Sequence, residues 1–100
     1  MPWEFAIEAA ALPEGQNVKV TLGGQPIMLS RLDGGFHAVH DTCLHRGASL
    51  SVAPLQGRKV SCHLHFWTFD ACTGVCEQVP SLGLRVFATK TEEGKVYVEV

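Results

Sequence analysis

One hundred residues suffice for one domain with a modest core that needs no disulfides. The composition, 46% hydrophobic and 18% charged, excludes a largely disordered chain. A net charge of −2 gives no global sign of nucleic-acid or membrane-surface binding, and no run of about 18 apolar residues exists to span a bilayer. Strand signals then dominate in chain order. W-E-F-A-I-E (3–8) alternates and reads as a strand. A-A-A-L-P-E-G (9–15) starts a helical turn that proline and glycine cut short. N-V-K-V-T-L (17–22), P-I-M-L-S-R-L (26–32) and F-H-A-V-H (36–40) follow, separated by the turn residues G-G-Q and D-G-G. Near the end, G-L-R-V-F-A-T-K (83–90) and K-V-Y-V-E-V (95–100) flank T-E-E-G, another hairpin signal. No helix of ten or more residues with a sustained apolar stripe is visible. These segments predict an all-β sandwich or small barrel of hairpins.

From Asp41 to Pro80 the alternation fades and Gly, Pro, Ser, Cys and His accumulate, as expected of an insertion between strands of one domain. The opening M-P-W-E-F-A-I-E lacks the basic start and apolar run of a signal peptide, which points to the cytoplasm. Thiols are normally reduced there, so four cysteines read as metal or redox chemistry before they read as a disulfide frame.

The insertion holds two ligand pairs, Cys43-x-His45 and Cys62-x-x-His65, with sixteen residues between them. A structural zinc site usually spaces paired ligands by two to four residues, so the gap of one in the first pair is tight. It is natural if each loop serves two adjacent metal atoms, one through sulfur and one through nitrogen. A binuclear iron–sulfur cluster with two cysteines and two histidines offers that arrangement. A zinc-stabilised structural or interaction module remains the alternative from a different class.

Three stretches carry a family resemblance: C-L-H-R-G-A-S-L (43–50), G-R-K-V-S-C-H-L-H-F-W-T-F-D-A-C-T-G (57–74), and L-R-V-F with K-V-Y-V-E-V near the end. On these motifs the chain resembles the small Rieske-type ferredoxins, including ferredoxin components of aromatic-ring dioxygenase and toluene monooxygenase systems. The resemblance implies a Rieske-type antiparallel β-sandwich with a small cluster-binding subdomain at about 41–80. It implies a Rieske 2Fe–2S cluster, with Cys43 and Cys62 on the inner iron and His45 and His65 on the outer. It further implies a carrier of one electron from a flavin-dependent reductase to a terminal oxygenase, docking transiently at the histidine edge, and no catalytic site of its own. A Rieske oxygenase also needs a mononuclear iron held by two histidines and a carboxylate, and one hundred residues leave no room for that domain. A second Rieske-type reading is the small subunit of an assimilatory nitrite reductase.

The chain departs from the Rieske proteins of quinol-oxidising complexes in two respects. Gly47 and Leu64 stand where those proteins carry an extra disulfide, and Trp67 and Phe69 stand where they carry hydroxyls that bond the cluster sulfurs. Fewer hydrogen bonds to sulfur predict a potential near the low end of the Rieske range of roughly −150 to +300 mV. Between Thr42 and Phe69 lie Arg46, Arg58 and Lys59 and none of the ten acidic residues, so the cluster end is expected to be mildly positive.

Other residues in this region have plainer readings. His63 is a loop residue, because adjacent side chains do not easily share a site. His37 and His40 are sheet-surface histidines. Cys72 and Cys76 read as buried or half-buried reduced thiols flanking a turn, the alternative being a disulfide or redox-sensitive pair. Gly47 permits close backbone approach, and Pro80 matches the proline that covers the cluster in the family. Leu44, Arg46, Leu64 and Phe66 line the exposed tip.

Overall fold

The computed structural model describes residues 2–43, 48–62 and 67–100. Nine strands are described: β1 (Trp3–Glu8), β2 (Asn17–Leu22), β3 (Gln25–Leu32), β4 (Gly35–His40), β5 (Lys59–Ser61), β6 (Thr68–Asp70), β7 (Val86–Phe87), β8 (Thr89–Glu92) and β9 (Lys95–Glu99). Two single 3-10 turns, Ala9–Ala11 and Leu50–Val52, are the helical elements among the described residues. Among the described residues, no helix is long and apolar enough to cross a membrane.

Among the described residues every strand pairing is antiparallel. The sheets run β1-β9-β8, β2-β3-β4-β7 and β5-β6. Three hairpins close through two-residue loops: Gly23–Gly24 inside the pair Leu22–Gln25, Asp33–Gly34 inside Leu32–Gly35, and Glu93–Gly94 inside Glu92–Lys95. All six loop residues have positive φ, between 52° and 76°. That is the type I′ geometry whose twist matches the flanking strands, and it explains the glycine in each loop.

The segment expected as one strand, 83–90, is two. β7 pairs with β4, whereas β8 pairs with β9, so the chain changes sheets at Ala88. The second strand also runs on to Glu92, which leaves Glu93–Gly94 as the turn. A continuous apolar alternation cannot report which sheet each half joins. The strands β5 and β6, three residues each, went unseen because so short a run shows no period.

Period-two alternation along β3 and β4 divides the interior into two cores. Ile27, Leu29 and Ala38 face one way and pack with Leu22, Phe87, Val96 and Val98, filling the space between the three- and four-stranded sheets. Met28, Leu32 and Val39 face the other way, onto Leu50, Val60, Phe69, Ala71, Cys76 and Leu84 of the segment between β4 and β7. That segment therefore stacks as a third layer on the four-stranded sheet.

Candidate metal centre

The two cysteines of the ligand pairs belong to this second core. Cys43 is 1% exposed and Cys62 is fully buried. They occupy equivalent places in two loops built alike. In the first, Thr42 faces Ser49 across an antiparallel bridge, and the Cys43 amide donates to the Ala48 carbonyl at 2.8 Å. In the second, Ser61 faces Thr68 in the β5–β6 pair, and the Cys62 amide donates to the Trp67 carbonyl at 2.8 Å. Each cysteine thus stands one residue inside the last cross-strand pair, with its amide bonded to the residue five positions on. No sequence signal short of pairing the two motifs announces this equivalence.

The loop tips, 44–47 and 63–66, lie outside the described residues. His45 and His65 fall there, as do His63, Leu44, Arg46, Gly47, Leu64 and Phe66. His37 and His40 are half-buried on β4, as a sheet location requires, and the His40 ring nitrogen Nδ1 accepts from the Thr42 amide at 3.4 Å. Phe69 is fully buried in the core that holds both thiols, and Trp67 packs against that core while partly exposed. Pro80 is exposed in the loop 75–83.

Hydrogen bonds hold the two loop bases. The Asp41 carboxylate accepts from the Ser51 amide at 2.8 Å and from the Ser49 hydroxyl. At the second base, Ser61 and Thr68 hydroxyls bond at 3.0 Å, and the Gln78 side-chain oxygen accepts from the Thr68 amide at 2.8 Å. Beneath them Asp70 caps the turn that follows β6, accepting from the amides of Cys72 at 2.7 Å and Thr73 at 2.9 Å. Its partial burial acts to raise its pKa, but those two amides and the Arg58 guanidinium outweigh this and hold it below the ordinary carboxylate value. Burial pushes the Cys72 thiol up, with Asp70 adding to the rise and Arg58 opposing it.

The expected positive cluster end is largely neutralised. Arg58 pairs with Asp70 (Nε to Oδ2, 3.2 Å) and Lys59 pairs with Glu77, so acids from beyond the stretch fold back onto two of its three cations.

The donor set suits an iron–sulfur cluster. A bare thiolate in an apolar core is costly, whereas a thiolate bound to iron has its charge answered at the sulfur. Two such sulfurs, rising from the bases of matched loops, fit a cofactor held from both sides.

Comparison with known proteins agrees. The model of the Rieske [2Fe-2S] domain matches residues 2–88. The ferredoxin component of the naphthalene 1,2-dioxygenase system of Pseudomonas aeruginosa is 31% identical over 98% of this chain and 95% of its own. Among solved structures, a chain of the complex of reduced oxygenase and oxidized ferredoxin in carbazole 1,9a-dioxygenase superposes with a TM-score of 0.87 at 34% identity, covering 96% of this chain and 91% of that one. The terminal oxygenase of carbazole 1,9a-dioxygenase from Novosphingobium sp. KA1 gives a TM-score of 0.89 at 30% identity over 98% of this chain, which spans only 29% of that protein.

Proposed function

From its membership of the Rieske [2Fe-2S] domain family, which the chain matches over residues 2–88, we propose that this protein carries single electrons from a flavin-dependent reductase to a terminal oxygenase. The observation that carries the reading is the burial of Cys43 and Cys62 at equivalent positions of two matched loops within one core. Its cofactor is a Rieske-type 2Fe–2S cluster, so the zinc-module alternative falls away. As ligands we assign Cys43 and Cys62 to the inner iron and His45 and His65 to the outer, and we take about 41–80 as the cluster-binding subdomain of a single domain.

When bound, the cluster supplies a reversible one-electron couple. This chain's own residues supply the rest. Phe69, Val60 and Leu50 exclude water behind the thiols, and the paired backbone of each loop base fixes where each sulfur stands. A rigid, dry seat limits rearrangement when charge arrives. The oxygenase partner is supported by relatives that are named ferredoxin components of dioxygenase systems and by the solved oxygenase–ferredoxin complex. A cytoplasmic location is supported by the free thiols of Cys62, Cys72 and Cys76.

Electron paramagnetic resonance of the dithionite-reduced protein tests the reading. A rhombic signal with a mean g below that of all-cysteine clusters is expected, and it is expected to vanish in His45→Ala and His65→Ala. A colourless protein holding zinc, or an unchanged signal in either histidine variant, overturns it.

A further inference from the structure

Resting on the ligand reading above, we propose that Asp41 is a positioning residue for the iron–sulfur site, setting the place of Cys43 through the return arm of the first loop. Sequence reasoning gave Asp41 no role beyond opening the insertion. The structure buries it to 1% exposure, rare for a carboxylate unless hydrogen-bonded or paired.

Asp41 makes bonds with four other residues. Its amide donates to the Pro26 carbonyl at 3.0 Å, anchoring it to the start of β3. Its carbonyl accepts from the Leu50 amide at 2.7 Å. One carboxylate oxygen accepts from the Ser51 amide at 2.8 Å and the other from the Ser49 hydroxyl. Residues 49, 50 and 51 are therefore all held by one side chain and its own backbone. Ser49 follows Ala48, whose carbonyl holds the Cys43 amide. The path from the carboxylate to the thiol passes through one hydroxyl, one peptide and one backbone hydrogen bond.

That path matters because the return arm has little regular structure to hold it. Residues 48–52 contain one isolated bridge and one 3-10 turn. Apart from Asp41, its buried anchor is the Leu50 side chain. The second loop differs: β5 and β6 pair directly beneath it, with the Ser61–Thr68 hydroxyl bond across them. A side-chain brace in the first loop takes the place of a ladder in the second. Asp41 touches the return arm, so its effect on the site is through position.

The variants Asp41→Ala, Asp41→Asn and Val98→Ala, the last a core residue of the distant sandwich, separate position from general stability. Asparagine keeps the shape. Its oxygen still accepts from Ser51, and its amide faces Ser49, whose hydrogen can turn to the Ser51 hydroxyl 3.1 Å away. The readouts are the half-life of the visible absorption under a chelator, the g values of the reduced protein, and Tm. Asp41→Ala is expected to shift the g values and lose its cluster about 10–100-fold faster than wild type, and Asp41→Asn to stay within about twofold of it. Val98→Ala is expected to lower Tm with half-life and g values unchanged. Wild-type half-life and g values in Asp41→Ala overturn the proposal, as does Asp41→Asn failing like Asp41→Ala. If Asp41→Ala yields no folded protein, Ser49→Ala decides: shifted g values support the brace, and wild-type values overturn it. Wild-type protein without a Rieske signal would instead bring down the ligand reading beneath it.

Discussion

A Cβ placed on Gly74 would stand 2.6 Å from the carbonyl oxygen of Leu84. The glycine also has φ of +78°, and its own carbonyl accepts the Leu84 amide at 2.8 Å. Here the two ends of the loop 75–83 are cinched, next to the turn that Asp70 caps. Gly74→Ala combines left-handed strain with a backbone clash, so a loss of about 2 kcal/mol or more is expected in urea unfolding. An unchanged midpoint would show that the loop gives way freely.

The two cores predict two kinds of core variant. Phe69→Ala empties a fully buried site in the core that holds both thiols and is expected to cost about 3–5 kcal/mol and to speed cluster loss. Val98→Ala, in the sandwich core, is expected to cost about 2 kcal/mol and leave the cluster spectrum alone. Equal bleaching rates in the two variants would mean that the four-stranded sheet does not separate the cores.

Acid stability carries the mark of Asp70. Because its folded pKa is depressed, its contribution is present above the ordinary value of 3.8 and is lost as pH falls through the folded value. Wild type is expected to exceed Asp70→Asn in urea stability from pH 7 to 5, with the gap closing below about pH 4. Solvent screens the Arg58 pair, so most of the gap reflects the two amide bonds at the turn. A gap that persists to the lowest pH would assign the effect to shape rather than charge.

Cys72 and Cys76 are free in the structure, which agrees with the reduced reading. Burial holds the Cys72 thiol in its protonated form, and the thiolate is the reactive species. Iodoacetamide at pH 8 is therefore expected to label Cys72 in native protein more slowly than a free cysteine, and intact mass is expected to be the same with and without reductant. Rapid labelling, or a two-dalton gain on reduction, would contradict this.

The midpoint potential is expected near the low end of the Rieske range, about −150 mV. Phe69 is wholly apolar and fully buried, so the position that carries a hydroxyl in quinol-oxidising relatives offers no donor here. Protein-film voltammetry measures it directly, and a midpoint well above zero would refute the argument.

The sandwich was legible because its signals are local. Alternation marked β1 and β2 to the residue, and paired glycines or Asp-Gly marked the hairpins. The split of 83–90 between sheets was not legible, since long-range pairing decides it. The thiols were legible from motif spacing, but the braces were not. Asp41, Gln78 and Gly74 act through partners 10 residues away in each case: Ser51, Thr68 and Leu84. Nothing about an aspartate before a cysteine announces that it will be buried.

The layered interior has a practical corollary for anyone wiring this protein to a surface. Lys90 rests over the Trp3 and Tyr97 rings on the outer side of β1-β9-β8, and one greasy stratum and the four-stranded sheet intervene before the layer that holds the sulfur donors. An amine-reactive linker or dye fixed to Lys90 would sit on the insulated back of the molecule, leaving the redox end clear for its natural contacts.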